Sequence, residues 1–192
     1  MYVGKPLIDT LCAVRNTDRI LAHTLTAMDN TPSDVKNSGT FTMSMPSDTE
    51  VIVTRFFDAP REKLWKVLND PSLIPEWWGP REAHTQVDKM EVHVGGKWQY
   101  TIIGPSGKKE IFRGKYMEIV PMEKIAWTFE YEPYAGHIST QTVTLEDWGD
   151  KSFLMMRAIY ANKDDREGMV GANMESGMRE TYDRLEELLM RV

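Results

Sequence analysis

The sequence predicts an α+β fold, in which a curved antiparallel sheet of six or seven strands wraps around a long C-terminal helix. Three observations support this prediction. An alternating strand ends near Phe57 and leads into a helix that Pro60 can start. Alternating apolar segments then recur between residues 84 and 160, and residues 164–190 carry an amphipathic helical pattern. Elements in this order predict a cavity between sheet and helix that suits an apolar guest.

Two short helices are expected after the first strand, which covers residues 51–57. Pro60 suits the first position of a helix, where its missing N–H costs nothing. Asp70 followed by Pro71 repeats this start signal as a cap and a first residue. Pro75 limits the second helix to one or two turns.

The central part of the chain predicts a series of antiparallel strands joined by glycine-rich turns. Trp98 and Tyr100 alternate onto one face of their strand, and Gly114 would let the sheet bend or let another group approach closely. The expected strands after the two helices cover residues 84–94, 97–102, 110–120, 125–131, 138–146 and 152–160.

The last predicted element is one helix of about 27 residues, from Asp164 to Met190, which would be roughly 40 Å long. Asp164 can cap it, with Glu167 completing a capping box. The polar residues, including Glu186, are expected to line the solvent face.

Composition is typical of a globular protein, with 41% hydrophobic and 27% charged residues. The net charge of −6 argues against a general nucleic-acid binder, because phosphate contacts need a basic surface. Cys12 is the only cysteine, which excludes an intramolecular disulfide and a cysteine-based zinc cluster. No segment approaches the ~20 apolar residues of a membrane span, and no secretory signal is recognisable. A cytoplasmic protein is therefore expected.

The chain divides into two unequal parts. All six tryptophans lie beyond residue 50, whereas residues 1–49 are rich in Thr, Ser and Asn. We therefore expect a folded domain at residues 50–192 and a poorly ordered extension at 1–49, with residues 30–48 as a linker. The extension could instead be a docking arm or regulatory tail, or the true start could be Met43 or Met45.

The segments from residue 55 onward resemble the family named after the activator of the Hsp-ninety chaperone ATPase, in its single-domain bacterial form. This family belongs to the START-like (SRPBCC) helix-grip superfamily. The resemblance rests on these segments in order: Arg55–Pro60, Trp77–Pro80, Val94–Trp98, Phe112–Gly114, Val120–Ile125, Thr142–Asp147 and Gly177–Leu185. It implies a sheet that grips the C-terminal helix, with a pocket between them in many members. It implies no particular activity, because relatives include lipid carriers, hormone receptors and polyketide cyclases.

Aromatic, methionine and arginine side chains are the candidates for lining such a pocket. The same aromatics could equally form a solid core, and the methionines could be ordinary core filler. Arg157 could point inward and pair with Glu91, Glu118 or an anionic ligand, or it could be exposed to solvent. The predicted ligand-binding residues are Trp78, Trp98, Tyr100, Phe112, Trp127, Phe129, Arg157, Met174 and Met178.

The predicted function is binding of a small hydrophobic or amphipathic molecule. An enzyme of cyclase, dehydratase or hydrolase type in the same pocket is the first alternative. Its candidate bases, His84, His93 and His137, sit in no recognisable motif, so no catalytic residue, metal or cofactor is assigned. A co-chaperone-like or stress-related protein interaction is the second alternative, and homodimerisation is possible.

Overall fold

An eight-stranded antiparallel sheet frames the part of the chain that the computed structural model describes, residues 40–192. Its strand order is β1-β2-β8-β7-β6-β5-β4-β3. The strands are β1 Thr42–Ser47, β2 Glu50–Phe57, β3 His84–Met90, β4 Lys97–Ile103, β5 Lys109–Val120, β6 Lys124–Tyr131, β7 Ser139–Trp148 and β8 Lys151–Ile159. The α+β prediction is confirmed, although the sheet has more strands than the six or seven expected.

The additional strand, β1, lies within the stretch that was interpreted as a linker. Thr42 pairs with Thr54 of β2, and their hydroxyls are 2.6 Å apart. Phe41, just before the strand, is buried and contacts the ring of Tyr182. The linker interpretation is therefore wrong for residues 42–47: the polar side chains of a half-exposed edge strand hid its pairing. The predictions for residues 1–39 lie outside the described residues.

Four α-helices accompany the sheet within residues 40–192: α1 Arg61–Asn69, α2 Ile74–Trp77, α3 Lys163–Gly171 and α4 Met174–Leu189. The two short helices after β2 were predicted. However, α2 begins at Ile74 rather than Pro71, because Asp70 accepts bonds from the Ser72 N–H and hydroxyl and closes a turn there. No described helix is long and apolar enough to cross a membrane.

The C-terminal helical segment is broken, which corrects the prediction of one 27-residue helix. Asn173 adopts a left-handed conformation with φ of 65°, which an α-helix does not contain. The cap of α3 is Asn162, whose side chain accepts the Asp165 N–H, rather than Asp164. The remaining helix α4 has 16 residues and is roughly 24 Å long.

A partly buried ion-pair network fastens α4 to β2. The guanidinium of Arg55, on β2, lies 2.5 Å from the Asp183 carboxylate and 3.8 Å from that of Glu186. Glu186 is buried and also accepts the Asp58 N–H at 3.0 Å. The helical pattern placed Glu186 on the solvent face, and this is wrong: the glutamate is buried between helix and sheet and contacts both Arg55 and the Asp58 N–H. Because α4 is fixed against β2, it can also hold the segment that carries the two adjacent tryptophans.

Candidate ligand pocket

A cavity of about 90 Å³ lies between helices α1 and α2 and strands β4 to β7. It is lined by thirteen residues: Leu68, Asn69, Ile74, Trp77, Trp78, Trp98, Tyr100, Tyr116, Ile125, Trp127, Phe129, Gln141 and Val143. None of them belongs to α3 or α4. The expectation of a pocket against the C-terminal helix is therefore corrected: the short helices α1 and α2, together with Trp78 directly after α2, form the roof of the cavity.

Strand alternation brings the aromatic wall together. Trp98 and Tyr100 point from β4 to the covered face of the sheet, and Tyr116, Trp127 and Phe129 reach the same face from β5 and β6. Alternate residues of a strand point to the same face of the sheet, so the apolar residues of paired antiparallel strands lie side by side on that face. A continuous aromatic surface across three strands is the consequence.

Gly114 makes room for this surface. A Cβ at this position would lie 1.7 Å from the Thr128 carbonyl oxygen and 2.7 Å from Nε1 of Trp98. The Trp98 indole lies beside the glycine and donates its N–H to that carbonyl at 3.3 Å. The predicted close approach at Gly114 is confirmed. Without a side chain there, Trp98 reaches across β5 and forms part of the cavity wall.

The segment with the two adjacent tryptophans is held from outside the cavity by α4. The Arg184 guanidinium donates to backbone carbonyls of Gly79 at 2.7 Å and Glu76 at 3.0 Å, with further bonds to Pro75, Trp78 and Pro80. The Thr85 hydroxyl also donates to the Trp78 carbonyl at 2.5 Å. A cation at the C-terminal end of α2 satisfies carbonyls that the short helix leaves free. Helix α4 thus shapes the cavity without lining it.

Trp78 joins the roof to the wall through edge contacts between rings. Its ring centroid lies 5.1 Å from those of Tyr100 and Phe112, at interplanar angles of 72° and 78°. Phe112 in turn contacts Phe129 at 5.7 Å and stacks on Tyr131 at 4.8 Å. Such geometries are favourable for aromatic quadrupoles. They fix the orientation of Trp78 over the cavity.

Polar atoms are few in the cavity wall. The hydroxyls of Tyr100 and Tyr116 lie near each other in this wall. Burial raises the pKa of Tyr116 to about 12 and raises the pKa of Tyr100 further, so both phenols are neutral at physiological pH. Asn69 donates its amide N–H to the Trp65 carbonyl at 2.8 Å, which leaves the amide oxygen as acceptor. Gln141 contributes the other side-chain amide.

The cavity wall contains no ionisable side chain apart from the two neutral phenols. His84, His93 and His137 are exposed and lie elsewhere, with His137 Nδ1 at 2.6 Å from the Asp165 carboxylate. Within residues 40–192, no group of His, Cys, Asp and Glu is arranged to hold a metal ion. An ionised guest would lose hydration in this wall without gaining a counter-charge.

Five of the nine predicted residues line the cavity: Trp78, Trp98, Tyr100, Trp127 and Phe129. Phe112 packs behind Trp78 and Phe129 instead. Met174 and Met178 lie on α4 and pack against the core away from the cavity lining, with the Tyr160 hydroxyl 3.6 Å from the Met174 sulfur.

Arg157 does not reach the cavity. It is exposed, and its guanidinium pairs with Glu50 across the β2–β8 ladder rather than with Glu91 or Glu118. Its neighbours Met156 and Ala158 are the buried ones. The prediction therefore assigned the wrong alternate residues of β8 to the core. Methionines lie on both faces of this strand, so its sequence shows no clear alternation between apolar and polar residues.

The sequence did not predict the lining residues that come from the short helices, or four of those that come from strands β5 to β7. Leu68, Asn69, Ile74 and Trp77 come from the short helices, and the sequence does not indicate which strands these helices cover. Tyr116 could have been found, because it shares a strand face with Phe112 and Gly114. The β6 and β7 members are Ile125, Gln141 and Val143.

A sheet wrapped over helices, with an aromatic cavity beneath it, defines a protein of the helix-grip class. The family model described as Activator of Hsp90 ATPase homolog 1-like protein matches residues 58–190, and the chain belongs to this family. Among curated protein sequences, none matches.

Solved bacterial structures share the fold at low identity. A crystal structure of a protein from Rhodobacter sphaeroides is 24% identical, with a TM-score of 0.75, over 81% of this chain and 100% of that one. A solution structure from Arthrobacter aurescens is 22% identical, with a TM-score of 0.73, over 79% and 92% of the two chains. A family member from Silicibacter pomeroyi is 19% identical, with a TM-score of 0.63, over 74% and 99%.

Proposed function

We propose that this protein binds a small, uncharged and mostly apolar molecule in the cavity between α1–α2 and β4–β7. The observation that carries the proposal is the composition of the wall, in which seven of the thirteen lining residues are aromatic. Burial of apolar surface supplies roughly 25 cal/mol per Å², and a few polar groups orient the guest. The family is one whose fold serves ligand binding, which agrees with this proposal.

The size of the cavity restricts the guest. Its volume of about 90 Å³ is smaller than the ~150 Å³ engineered cavity that accommodates benzene. A guest with a six-membered ring therefore needs a modest outward movement of the wall. The half-buried residues of the lining have more freedom to move outward than the fully buried ones, and they are Leu68, Asn69, Trp78, Trp127, Phe129 and Gln141.

The composition of the wall favours binding over acid–base catalysis. A general acid or base must lie within hydrogen-bond reach of the reacting group and titrate near the working pH. The wall supplies neither histidine nor carboxylate, and its phenols titrate far above neutrality. The alternative of a cyclase, dehydratase or hydrolase in this pocket gains no support from these residues.

Filling the cavity tests the proposal. Val143 points into it from β7, so Val143→Phe would occupy the space that benzene needs, and the smaller Val143→Leu serves if the Phe variant does not fold. The matched control is Thr142→Phe, whose side chain points to the opposite face of the same strand.

The measurement is a benzene titration followed by amide chemical shifts. We expect saturable shifts centred on the cavity in the wild type and in Thr142→Phe, and at least tenfold weaker binding in the filled variant. The proposal fails if benzene gives no saturable shifts in the wild type, or if the filled variant binds it equally well.

A further inference from the structure

The two tyrosines of the cavity wall carry two hydroxyl protons, and a contact between the two hydroxyls can use only one of them. Each hydroxyl has a single proton to donate, so only one of Tyr100 and Tyr116 can donate to the other. Within residues 40–192, neither hydroxyl has a hydrogen bond to a group outside the pair. One O–H therefore remains to be donated, and both residues line the cavity.

The position of this pair makes the remaining donor available to a guest. Tyr100 and Tyr116 lie on the adjacent strands β4 and β5, and the two residues are 6% and 5% exposed. A hydroxyl withdrawn from bulk water to this extent costs free energy unless a partner accepts its proton. The surrounding wall is formed by the apolar surfaces of Trp98, Ile125 and Trp127.

We propose that the Tyr100–Tyr116 hydroxyl pair is the polar anchor of the cavity and donates one hydrogen bond to an oxygen acceptor on a neutral guest. The guest class is a compact, uncharged molecule with a carbonyl, ether or hydroxyl oxygen. This inference rests on the proposed binding function and adds the polar group that selects the guest.

An isosteric pair of probes separates this inference from simple apolar binding. Cyclopentanone and methylenecyclopentane have nearly the same shape, but only the ketone has an acceptor oxygen. Each probe is titrated into the wild type and into the double variant Tyr100→Phe/Tyr116→Phe. Replacing both hydroxyls together avoids leaving one of them buried without a partner. The single variants Tyr100→Phe and Tyr116→Phe are titrated as well.

The decisive quantity is the ratio of ketone affinity to alkene affinity, compared between wild type and variant. We expect the double variant to lower this ratio about tenfold, with the alkene affinity unchanged within about twofold. A merely structural role of the tyrosines would change both affinities together. If the double variant does not fold, the single variant that removes the donating oxygen shows the same selective loss.

The outcomes distinguish the two proposals. If both probes bind and the ratio is the same in every folded variant, the polar anchor is overturned and the proposed binding function stands. If neither probe nor benzene binds the wild type, the binding function fails and the anchor fails with it.

Discussion

Arg184 of α4 donates a hydrogen bond to the carbonyl oxygen of Gly79 at 2.7 Å. The same guanidinium bonds to carbonyls between Pro75 and Pro80, so one side chain of the C-terminal helix holds the backbone that positions the cavity roof. Gly79 adopts φ of +89°, which favours glycine, and this turn directs its carbonyl toward the arginine. A residue outside the cavity thereby determines where Trp77 and Trp78 lie.

Replacing this arginine should loosen the cavity roof. We expect Arg184→Met to lower the free energy of unfolding by about 3 kcal/mol, because charged hydrogen bonds to several carbonyls are lost together. Benzene affinity should fall as well, since Trp78 is no longer fixed. Urea denaturation and benzene titration measure the two effects.

Two further variants show whether the planar fork of Arg184 matters. Arg184→Lys should recover less than half of the lost stability, because an ammonium group cannot bond to carbonyls on both sides of the turn. Arg191→Met removes an exposed arginine 3.9 Å from Glu76 and should change stability by less than about 0.5 kcal/mol. Equal losses for Arg184→Met and Arg191→Met would contradict the assigned role.

Gly114→Ala should be among the more damaging single-methyl additions to this sheet. The new Cβ would overlap the Thr128 carbonyl and the Trp98 indole, and the carbonyl belongs to backbone that cannot rotate away. We expect a loss of about 3 kcal/mol, at the upper end for overpacking, and a shift in tryptophan fluorescence as Trp98 is displaced.

Gly168→Ala is the matched control for this substitution. Gly168 lies in α3, and a Cβ there meets nothing within 4 Å. Alanine should therefore stabilise the protein by about 0.5–1 kcal/mol through its helix propensity. Similar effects of the two substitutions would show that the space beside Trp98 is not restricted.

The fold was predictable from the sequence because its main signals are local. Alternation in Trp98–Tyr100 and in Trp127–Phe129 correctly predicted strands and a shared face. The location of the cavity was not predictable, since it depends on how α1 and α2 lie over the sheet. Glu186 shows the same limit: helical periodicity assigns a carboxylate to solvent, but the partners Arg55 and the Asp58 N–H come from β2 and the residue after it.

The break between α3 and α4 depends on the conformation of Asn173, and substitutions there should report it. In the left-handed region a residue with a Cβ is disfavoured, and asparagine tolerates it better than most. We expect Asn173→Gly to be neutral or slightly stabilising and Asn173→Ala to cost about 1 kcal/mol. Thermal denaturation of both variants measures the difference, and an alanine variant as stable as the glycine variant would show that the break does not require this conformation.

Stability should depend on pH with opposite sign at the adjacent residues Glu186 and Glu187. Burial raises the pKa of Glu186, partly offset by the Asp58 N–H and Arg55. A hydrogen bond from Arg81 lowers the pKa of the exposed Glu187. A raised pKa in the folded state means that folding favours the protonated form. The stability that this protonated group contributes is therefore lost as pH rises through the folded-state pKa. A lowered pKa gives a contribution that is lost as pH falls.

The difference in unfolding free energy between wild type and Glu186→Gln should therefore decrease as pH rises from about 4 to 7. The corresponding difference for Glu187→Gln should increase over the acidic part of that range. Glutamine at position 186 keeps an acceptor for the Asp58 N–H, so the comparison isolates the charge, which faces Arg55, Asp58 and Lys151. Urea denaturation at each pH supplies both differences. If the two free-energy differences change with pH in the same direction, Glu186 is not desolvated between α4 and β2. Both carboxylates would then respond to pH as exposed groups do.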